Sequence, residues 1–174
     1  LDGKDITGQA PERMVAHGMA YVPQVSNVFG TMTVLENLEI GGARLSRSRR
    51  EARIEEMVSL FPVLGERRKQ LAGTLSGGER QMLALARALI PEPSVILLDE
   101  PSAGVAPKIV EEIFQLVAGL RQTGVSVLMI EQNARQALPY VDRGYVLEGG
   151  AVKMTDTADS LLHDAEIAKL YLGG

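Results

Sequence analysis

Leu75-Ser76-Gly77-Gly78-Glu79, followed about twenty residues later by Val95-Ile96-Leu97-Leu98-Asp99-Glu100, is the pair of segments that decides the fold of this chain. The first segment predicts the start of a helix, where backbone N–H groups have no partner inside the helix and attract an anion. Glycine has no Cβ, so a phosphate can approach the backbone closely. The second segment predicts a buried strand that ends in two carboxylates, a suitable place for a metal ion and a general base.

Each segment alone also fits an ordinary structural role. Ser-Gly-Gly is typical of a serine-capped helix after a glycine turn, and Asp-Glu-Pro is typical of an acidic turn. Their occurrence together favours a nucleotide site. Neighbouring residues on an extended strand point to opposite faces, so Asp99 and Glu100 need not share one role. One can hold Mg²⁺, and the other can deprotonate a water that attacks a γ-phosphate.

Two glutamines also follow predicted strands. Gln24 follows the strand 19–22 after Pro23, and it can coordinate Mg²⁺ or a water through its carbonyl oxygen. Gln132 follows the apolar run 125–130, predicted to be a buried strand. Ligands of open α/β sheets gather at the carboxyl ends of the strands, so Gln24, Asp99, Glu100 and Gln132 are all expected on one side of the sheet.

Composition is that of a globular protein. The chain has 174 residues, 45% of them hydrophobic, and no cysteine, so disulfides and thiolate metal sites are excluded. The formal net charge of −4 argues against nucleic acid as a partner. No basic-then-apolar leader opens the sequence, and its first residue is leucine, from which we expect a chain that has lost its beginning.

Strands alternate with helices in the pattern of an α/β fold with a largely parallel sheet. We expect an α/β core over 1–32 and 72–174, with a helical subdomain inserted over about 33–71. Thr33-x-x-Glu36 and Ser48-x-x-Glu51 both have the spacing of a capping box. Pro62 is expected to break the helix before it. Near the C-terminus, a Gly149-Gly150 turn predicts a hairpin, and residues 158–172 are expected to be helical.

These motifs resemble those of ABC transporter ATP-binding subunits along essentially the whole chain, so the fold is expected to be P-loop NTPase-like. The resemblance implies that Gln24 lies on the Q-loop, 75–81 on the signature, 95–100 on Walker B and 102–107 on the D-loop. Further segments are similar to the ATPase subunit of branched-chain amino-acid importers: 3–8, 20–24, 72–76, 130–133 and 171–174.

The resemblance also implies the site and its partners. It assigns catalysis to Glu100, as the base, and to Gln132; nucleotide binding to Ser76, Gly77, Gly78, Glu79 and Gln24; and Mg²⁺ to Asp99 and Gln24. The cofactors are ATP and Mg²⁺. The implied partners are a second ABC ATPase subunit in a head-to-tail dimer, transmembrane permease subunits and, indirectly, an extracytoplasmic binding protein, all at the cytoplasmic face of the membrane.

Three departures from the family pattern stand out. Residues 1–174 contain no G-x-x-x-x-G-K-S/T phosphate loop, so we expect the chain alone to be inactive and to expose the flank of strand 95–98. The switch position, usually His, is Gln132, which cannot titrate near neutral pH. The acid usual in the D-loop is replaced by Ala106.

Two other functions remain open. The chain can be a non-catalytic piece that offers its signature helix in trans to a partner's nucleotide, or a soluble ABC ATPase of DNA repair or translation. The short insert between Gln24 and Ser76, without long heptad arms, disfavours DNA repair. The single ATPase domain disfavours translation.

Overall fold

The computed structural model describes residues 1–164, which form an α/β protein. Its strands are β1 (Met19–Val22), β2 (Val95–Asp99), β3 (Ser126–Ile130), β4 (Arg143–Glu148) and β5 (Ala151–Thr157). Its α-helices are α1 (Pro11–Met14), α2 (Val34–Gly41), α3 (Arg47–Leu60), α4 (Pro62–Glu66), α5 (Gly77–Leu89), α6 (Pro107–Leu120), α7 (Ala134–Ala137) and α8 (Ala158–His163). Short 3-10 turns cover Val15–His17, Ala72–Thr74, Arg121–Thr123 and Leu138–Tyr140.

A parallel sheet positions the predicted site residues. Its order is β1-β2-β3, so β2 is paired on both edges. Tyr21 is level with Leu97, and Leu97 with Leu128, so the carboxyl ends of the strands lie at one edge of the sheet. The expectation that the flank of strand 95–98 is exposed was wrong, because β1 and β3 occupy both of its edges.

The two faces of this sheet differ in burial. Ala20, Val22, Ile96 and Leu98 point into the hydrophobic core. On the opposite face, Tyr21, Leu128 and Ile130 are exposed by 56%, 58% and 61%. The prediction that 125–130 is a buried strand was therefore wrong, and β2 is fully buried on one face only. A continuous apolar run identified the strands but gave no information on which of their faces would be covered.

Helix α5 lies at the centre of the core. It begins after Ser76, as predicted, and buries Leu83, Leu85 and Leu89 completely or nearly so. Its apolar residues recur at helical spacing and form the face that packs on the sheet. Two prolines, Pro91 and Pro93, follow its end and prevent its continuation. The predicted helix over this segment is confirmed.

Helices α2 to α4 occupy the segment expected to be helical. Thr33 caps α2 with the predicted capping box. The second predicted box was wrong: Ser46 caps α3, and Ser48 lies inside its first turn. Pro62 follows the end of α3, as predicted, and it is also the first residue of α4. At that position a backbone N–H would have no partner inside the helix, so proline loses no hydrogen bond. The buried side chains of α2 to α4 join those of α5 and β2 in one core cluster.

The antiparallel hairpin β4–β5 follows the sheet. Gly149 and Gly150 form its turn with φ of +58° and +81°, which glycine adopts without strain. Val146 and Met154 pack with α8, whose Leu161 is buried. The helix predicted over 158–172 is present as α8 but ends at His163, since Asp164 has an extended backbone; residues 165–172 lie outside the described residues. Within 1–164, no helix combines the length and apolar character needed to cross a membrane.

Candidate nucleotide site

Three residues predicted from the sequence meet at the carboxyl edge of the parallel sheet. Gln24 follows β1, Glu100 follows β2, and Gln132 lies two positions after the end of β3. Gln24 Nε2 donates to Glu100 Oε2 at 2.6 Å, and Gln132 Nε2 donates to Glu100 Oε1 at 2.6 Å. Each carboxylate oxygen of Glu100 thus accepts one amide hydrogen bond. With Asp99, these residues are referred to below as the strand-end cluster.

The backbone of Glu100 has an uncommon conformation that two hydrogen bonds hold in place. Its φ is +45°, a left-handed conformation that few non-glycine residues adopt. Its N–H donates to the carbonyl of Ile130 at 2.8 Å, and its own carbonyl accepts from Ala103 N at 3.0 Å. Such strain persists only where the surroundings hold it, and it often occurs at functional sites.

Asp99 has a different partner from Glu100. Tyr21 on β1 donates its hydroxyl to Asp99 Oδ2 at 3.1 Å. This hydrogen bond to a carboxylate raises the pKa of Tyr21. The two neighbouring acids are therefore held by separate groups, in line with the separate roles expected of them. Sequence reasoning missed Tyr21, because nothing in a strand tyrosine signals which carboxylate it will face.

Glu131 is a second residue that sequence reasoning missed. It is half-buried between exposed neighbours, and its Oε1 accepts from Ser102 N at 2.8 Å. Its Oε2 accepts from Asn133 N at 3.3 Å. A signal did exist: Glu131 directly follows a strand, as Glu100 does. The same strand-end rule would have included it.

The helix predicted after Ser76 begins as expected. Its first residues, Ser76, Gly77, Gly78 and Glu79, are referred to below as the helix mouth. Ser76 Oγ accepts from Glu79 N at 3.3 Å, and Glu79 Oε2 accepts from Ser76 N at 2.8 Å, which makes a complete capping box. Within residues 1–164, the N–H groups of Gly77 and Gly78 donate no hydrogen bond. They are the free donors that an anion would use.

Glu79 carries the charge at this helix mouth. The hydrogen bond from Ser76 N lowers the pKa of Glu79, and the positive charge of Arg67 adds to that effect. Arg67 Nε lies 3.0 Å from Glu79 Oε1, but its N–H is not directed at the oxygen, so the contact is an ion pair and not a hydrogen bond.

The two glycines are packed differently. A Cβ on Gly78 would lie 2.7 Å from Ile109 Cγ2, so this glycine is pressed against α6 and buried. A Cβ on Gly77 would lie 3.1 Å from the carbonyl oxygen of Gly104, and Gly77 remains half-buried. Across the described residues, no hydrogen bond or ion pair joins the helix mouth directly to the strand-end cluster. Gly104, in the loop that follows Glu100, lies against Gly77.

The donor set fits the expected magnesium ion. Gln24 uses its amide nitrogen on Glu100, which leaves its carbonyl oxygen free for a cation. Asp99 supplies a carboxylate, and both are oxygen ligands of the type that Mg²⁺ prefers. Residues 1–164 contain no cluster of three or more His, Cys, Asp or Glu side chains that could hold a metal ion without further ligands. Such a site needs phosphate oxygens or waters to complete it.

Polar side chains gathered at the carboxyl ends of parallel strands place this chain in the class of α/β proteins that bind ligands at that edge of the sheet. The family model described as ABC transporter matches residues 1–103. This chain belongs to that family, as an ABC transporter ATP-binding protein. The sequence-based resemblance and the predicted fold class are confirmed.

The chain is similar to several proteins of this family over almost its whole length. It is 44% identical to the high-affinity branched-chain amino acid transport ATP-binding protein BraG of Pseudomonas aeruginosa, covering 99% of this chain and 74% of that protein. It is 41% identical to a probable branched-chain amino acid transport ATP-binding protein, LivF, of Archaeoglobus fulgidus, with the same coverage. It is also 36% identical to the lipopolysaccharide export system ATP-binding protein LptB of Haemophilus influenzae, covering 99% of this chain and 73% of that protein.

Solved structures agree with the family. The crystal structure of an ATP-binding cassette of an ABC transporter in its ADP conformation superimposes with a TM-score of 0.83 at 29% identity. It covers 98% of this chain and 74% of that one. A nucleotide-free ATP-binding cassette gives the same TM-score of 0.83 at 28% identity.

Proposed function

We propose that this chain supplies the general base of ATP hydrolysis in the ATP-binding subunit of a branched-chain amino-acid importer. The observation that carries the proposal is the position of Glu100, whose two oxygens accept from Gln24 and Gln132 at 2.6 Å each. A carboxylate with fixed direction at a strand end can take a proton from a water that attacks a γ-phosphate.

The residues around Glu100 have separate roles in the proposed reaction. Asp99 and the carbonyl oxygen of Gln24 would hold Mg²⁺, which would neutralise charge on the phosphates. Gln132 orients Glu100 through a neutral amide, and this donor does not change its charge with pH. Glu100 would accept a proton of the attacking water as the water oxygen bonds to the γ-phosphorus, while the bond from that phosphorus to ADP breaks in line and ADP leaves with the electron pair.

The helix mouth serves a second nucleotide site. Ser76 and the free N–H groups of Gly77 and Gly78 would bind the terminal phosphate of an ATP held by a partner subunit, in a head-to-tail dimer. The helices of 33–71 form a helical subdomain in this proposal, through which closure is passed to transmembrane permease subunits at the cytoplasmic face of the membrane. An extracytoplasmic binding protein delivers the substrate to them.

The proposal also predicts whether the chain hydrolyses ATP by itself. Residues 1–174 contain no G-x-x-x-x-G-K-S/T segment, and they are expected not to hydrolyse ATP alone. Joining a segment with that loop is expected to give turnover that depends on Glu100. If the joined protein binds a partner's ATP but shows no turnover of its own, the non-catalytic function in trans is the correct one.

Two candidate functions differ in the substrate that is transported. Similarity to BraG and LivF, at 44% and 41% identity, favours branched-chain amino acids. Similarity to LptB, at 36% identity over 99% of the chain, makes lipopolysaccharide export the second candidate.

Complementation distinguishes these two substrates. This chain is joined to the part of BraG that lies outside the aligned residues and is expressed in Pseudomonas aeruginosa without BraG. Uptake of labelled leucine should recover, and the Glu100→Gln variant should fail to restore it. Restoration of surface lipopolysaccharide in Escherichia coli depleted of LptB, without leucine uptake in the first strain, would overturn the importer proposal in favour of export.

A further inference from the structure

We propose that Glu131 is a positioning residue that ties the loop after β2 to Gln132, and through Gln132 sets the direction of the Glu100 carboxylate. The inference rests on the proposed function, because it assumes that Glu100 is the base. It concerns a residue outside the site predicted from the sequence, and the contacts of that residue with neighbouring backbone groups carry the argument.

Glu131 connects two segments that are far apart in the sequence. Its Oε1 accepts the N–H of Ser102, 29 positions away, at 2.8 Å, and its Oε2 accepts the N–H of Asn133 at 3.3 Å. Hydrogen bonds to an ionised carboxylate are stronger than those between neutral groups. One side chain therefore holds both the loop after β2 and the turn that contains Gln132.

Both carboxylate oxygens of Glu131 accept hydrogen bonds from backbone N–H groups. In the part of the chain that the structure describes, Glu131 forms no ion pair with Lys, Arg or His. It is half-buried, whereas Gln132 and Asn133 beside it are exposed. A partly buried carboxylate without a cation needs hydrogen-bond donors, and the backbone supplies them. Replacement of Glu131 would leave these N–H groups unpaired.

A continuous set of contacts passes through Glu131. The loop after β2 approaches the helix mouth, since the carbonyl oxygen of Gly104 would lie 3.1 Å from a Cβ on Gly77. In the same loop, Ser102 N donates to Glu131, whose neighbour Gln132 donates to Glu100. A displacement of this loop at the helix mouth would therefore move Gln132. Since Gln132 donates to one oxygen of Glu100, the base would be reoriented with it.

The first test reads the geometry directly in the 174-residue chain. Nuclear magnetic resonance monitors the backbone amide of Ser102 and the side-chain amide of Gln132 in Glu131→Ala, Glu131→Gln and a matched control, Glu111→Gln. Glu111 is an exposed residue of α6 whose carboxylate accepts a hydrogen bond from Gln115 Nε2 at 3.4 Å. We expect both signals to shift in Glu131→Ala, to shift less in Glu131→Gln, which keeps one acceptor oxygen, and to stay unchanged in the control.

The second test measures kinetics in the protein joined to a phosphate-loop segment. Loss of a hydrogen bond to a charged group predicts a decrease of kcat by about tenfold in Glu131→Ala, with KM for ATP unchanged. Glu131→Gln should recover part of kcat. In a Gln132→Ala background, Glu131→Ala should cause no further decrease, because both residues act through the same contact.

The outcomes separate this inference from the proposed function. Additive effects of Glu131→Ala and Gln132→Ala on kcat, or an unmoved Gln132 amide signal in Glu131→Ala, would overturn the positioning role. If the joined protein shows no ATP turnover, the proposed function fails, and the amide signals still decide whether Glu131 holds Gln132. If Glu131→Ala does not fold, Glu131→Gln provides the same comparison.

Discussion

The helix mouth and the strand-end cluster differ in how far apart in the sequence their partners lie. In the helix mouth, Ser76 and Glu79 bond to each other across three positions. In the strand-end cluster, Gln24 and Gln132 reach Glu100 across 76 and 32 positions. The first region is fixed by local sequence and packs on the core. The second exists only because the parallel sheet brings three strand ends together.

The helix mouth and the strand-end cluster also differ in how freely they can move. Gly78 is buried against α6, so the helix mouth moves only with α5 and α6. The hydrogen bonds of Gln24 and Gln132 to Glu100 are exposed, and both glutamines lie in loops. Solvent-exposed hydrogen bonds between loops open at a low cost in free energy. We infer that packing holds the helix mouth rigidly, whereas Glu100 keeps its direction only while its two exposed hydrogen bonds to Gln24 and Gln132 are intact.

The largest effect on stability is expected from filling the space at Gly78. In Gly78→Ala, a Cβ 2.7 Å from Ile109 Cγ2 requires the Ile109 side chain or α6 to shift, at a net cost of about 1–2 kcal/mol after the gain in helix propensity. Thermal unfolding should show a decrease of about 2–4 °C per kcal/mol. Gly77→Ala is the matched control, since its Cβ meets only the Gly104 carbonyl at 3.1 Å. An equal loss in both variants would show that the helix mouth is not held rigidly against α6.

A smaller effect is expected from removing the cap. Ser76→Ala should lower the free energy of unfolding by about 1 kcal/mol, because the N–H of Glu79 loses its acceptor. Thr33→Ala removes the same type of capping box from α2 and should cost a similar amount in chemical denaturation. In the protein joined to a phosphate-loop segment, only Ser76→Ala should also weaken ATP-dependent dimerisation, measured by sedimentation. Equal loss of dimerisation in both variants would contradict an anion-binding role for the helix mouth.

The smallest expected effect is on the stability of the folded protein at acidic pH. The pKa of Glu79 lies below its usual value of 4.5, so the ionised form stabilises the folded state. That contribution is complete above pH 4.5 and is lost as the pH falls through the lowered pKa in the folded protein. Glu79→Gln should therefore reduce the pH dependence of stability in urea unfolding between about pH 5 and 3, with little change in dependence near pH 7. Unchanged pH dependence in Glu79→Gln would show that this charge does not stabilise the helix mouth.

The sequence predicted local features better than long-range ones. The capping box at Thr33 and the helix cap at Ser76 were predicted correctly, because each depends on residues only a few positions apart. Ser48 was the wrong cap for α3, since Ser46 offers the same chemistry two residues earlier and the sequence does not rank the two. The meeting of Gln24, Glu100 and Gln132 followed from one topological rule, that parallel strands end at the same edge.

Other features depended on packing that no short pattern encodes. The apolar strand β3 was predicted to be buried, yet Leu128 and Ile130 are exposed, because hydrophobicity does not specify which face another element covers. Tyr21 was overlooked because its partner Asp99 is 78 positions away and is reached only through the register of β1 and β2. Glu131 was overlooked although the strand-end rule applied to it.

The most direct test is the rate of ATP hydrolysis by Glu100→Gln in the protein joined to a phosphate-loop segment, measured beside ATP binding. Glutamine keeps the shape of the side chain but cannot accept the proton of the attacking water, so turnover should fall by about a hundredfold or more while ATP is still bound. Turnover within about twofold of the unsubstituted protein would contradict the account, since Glu100 would then not be the base.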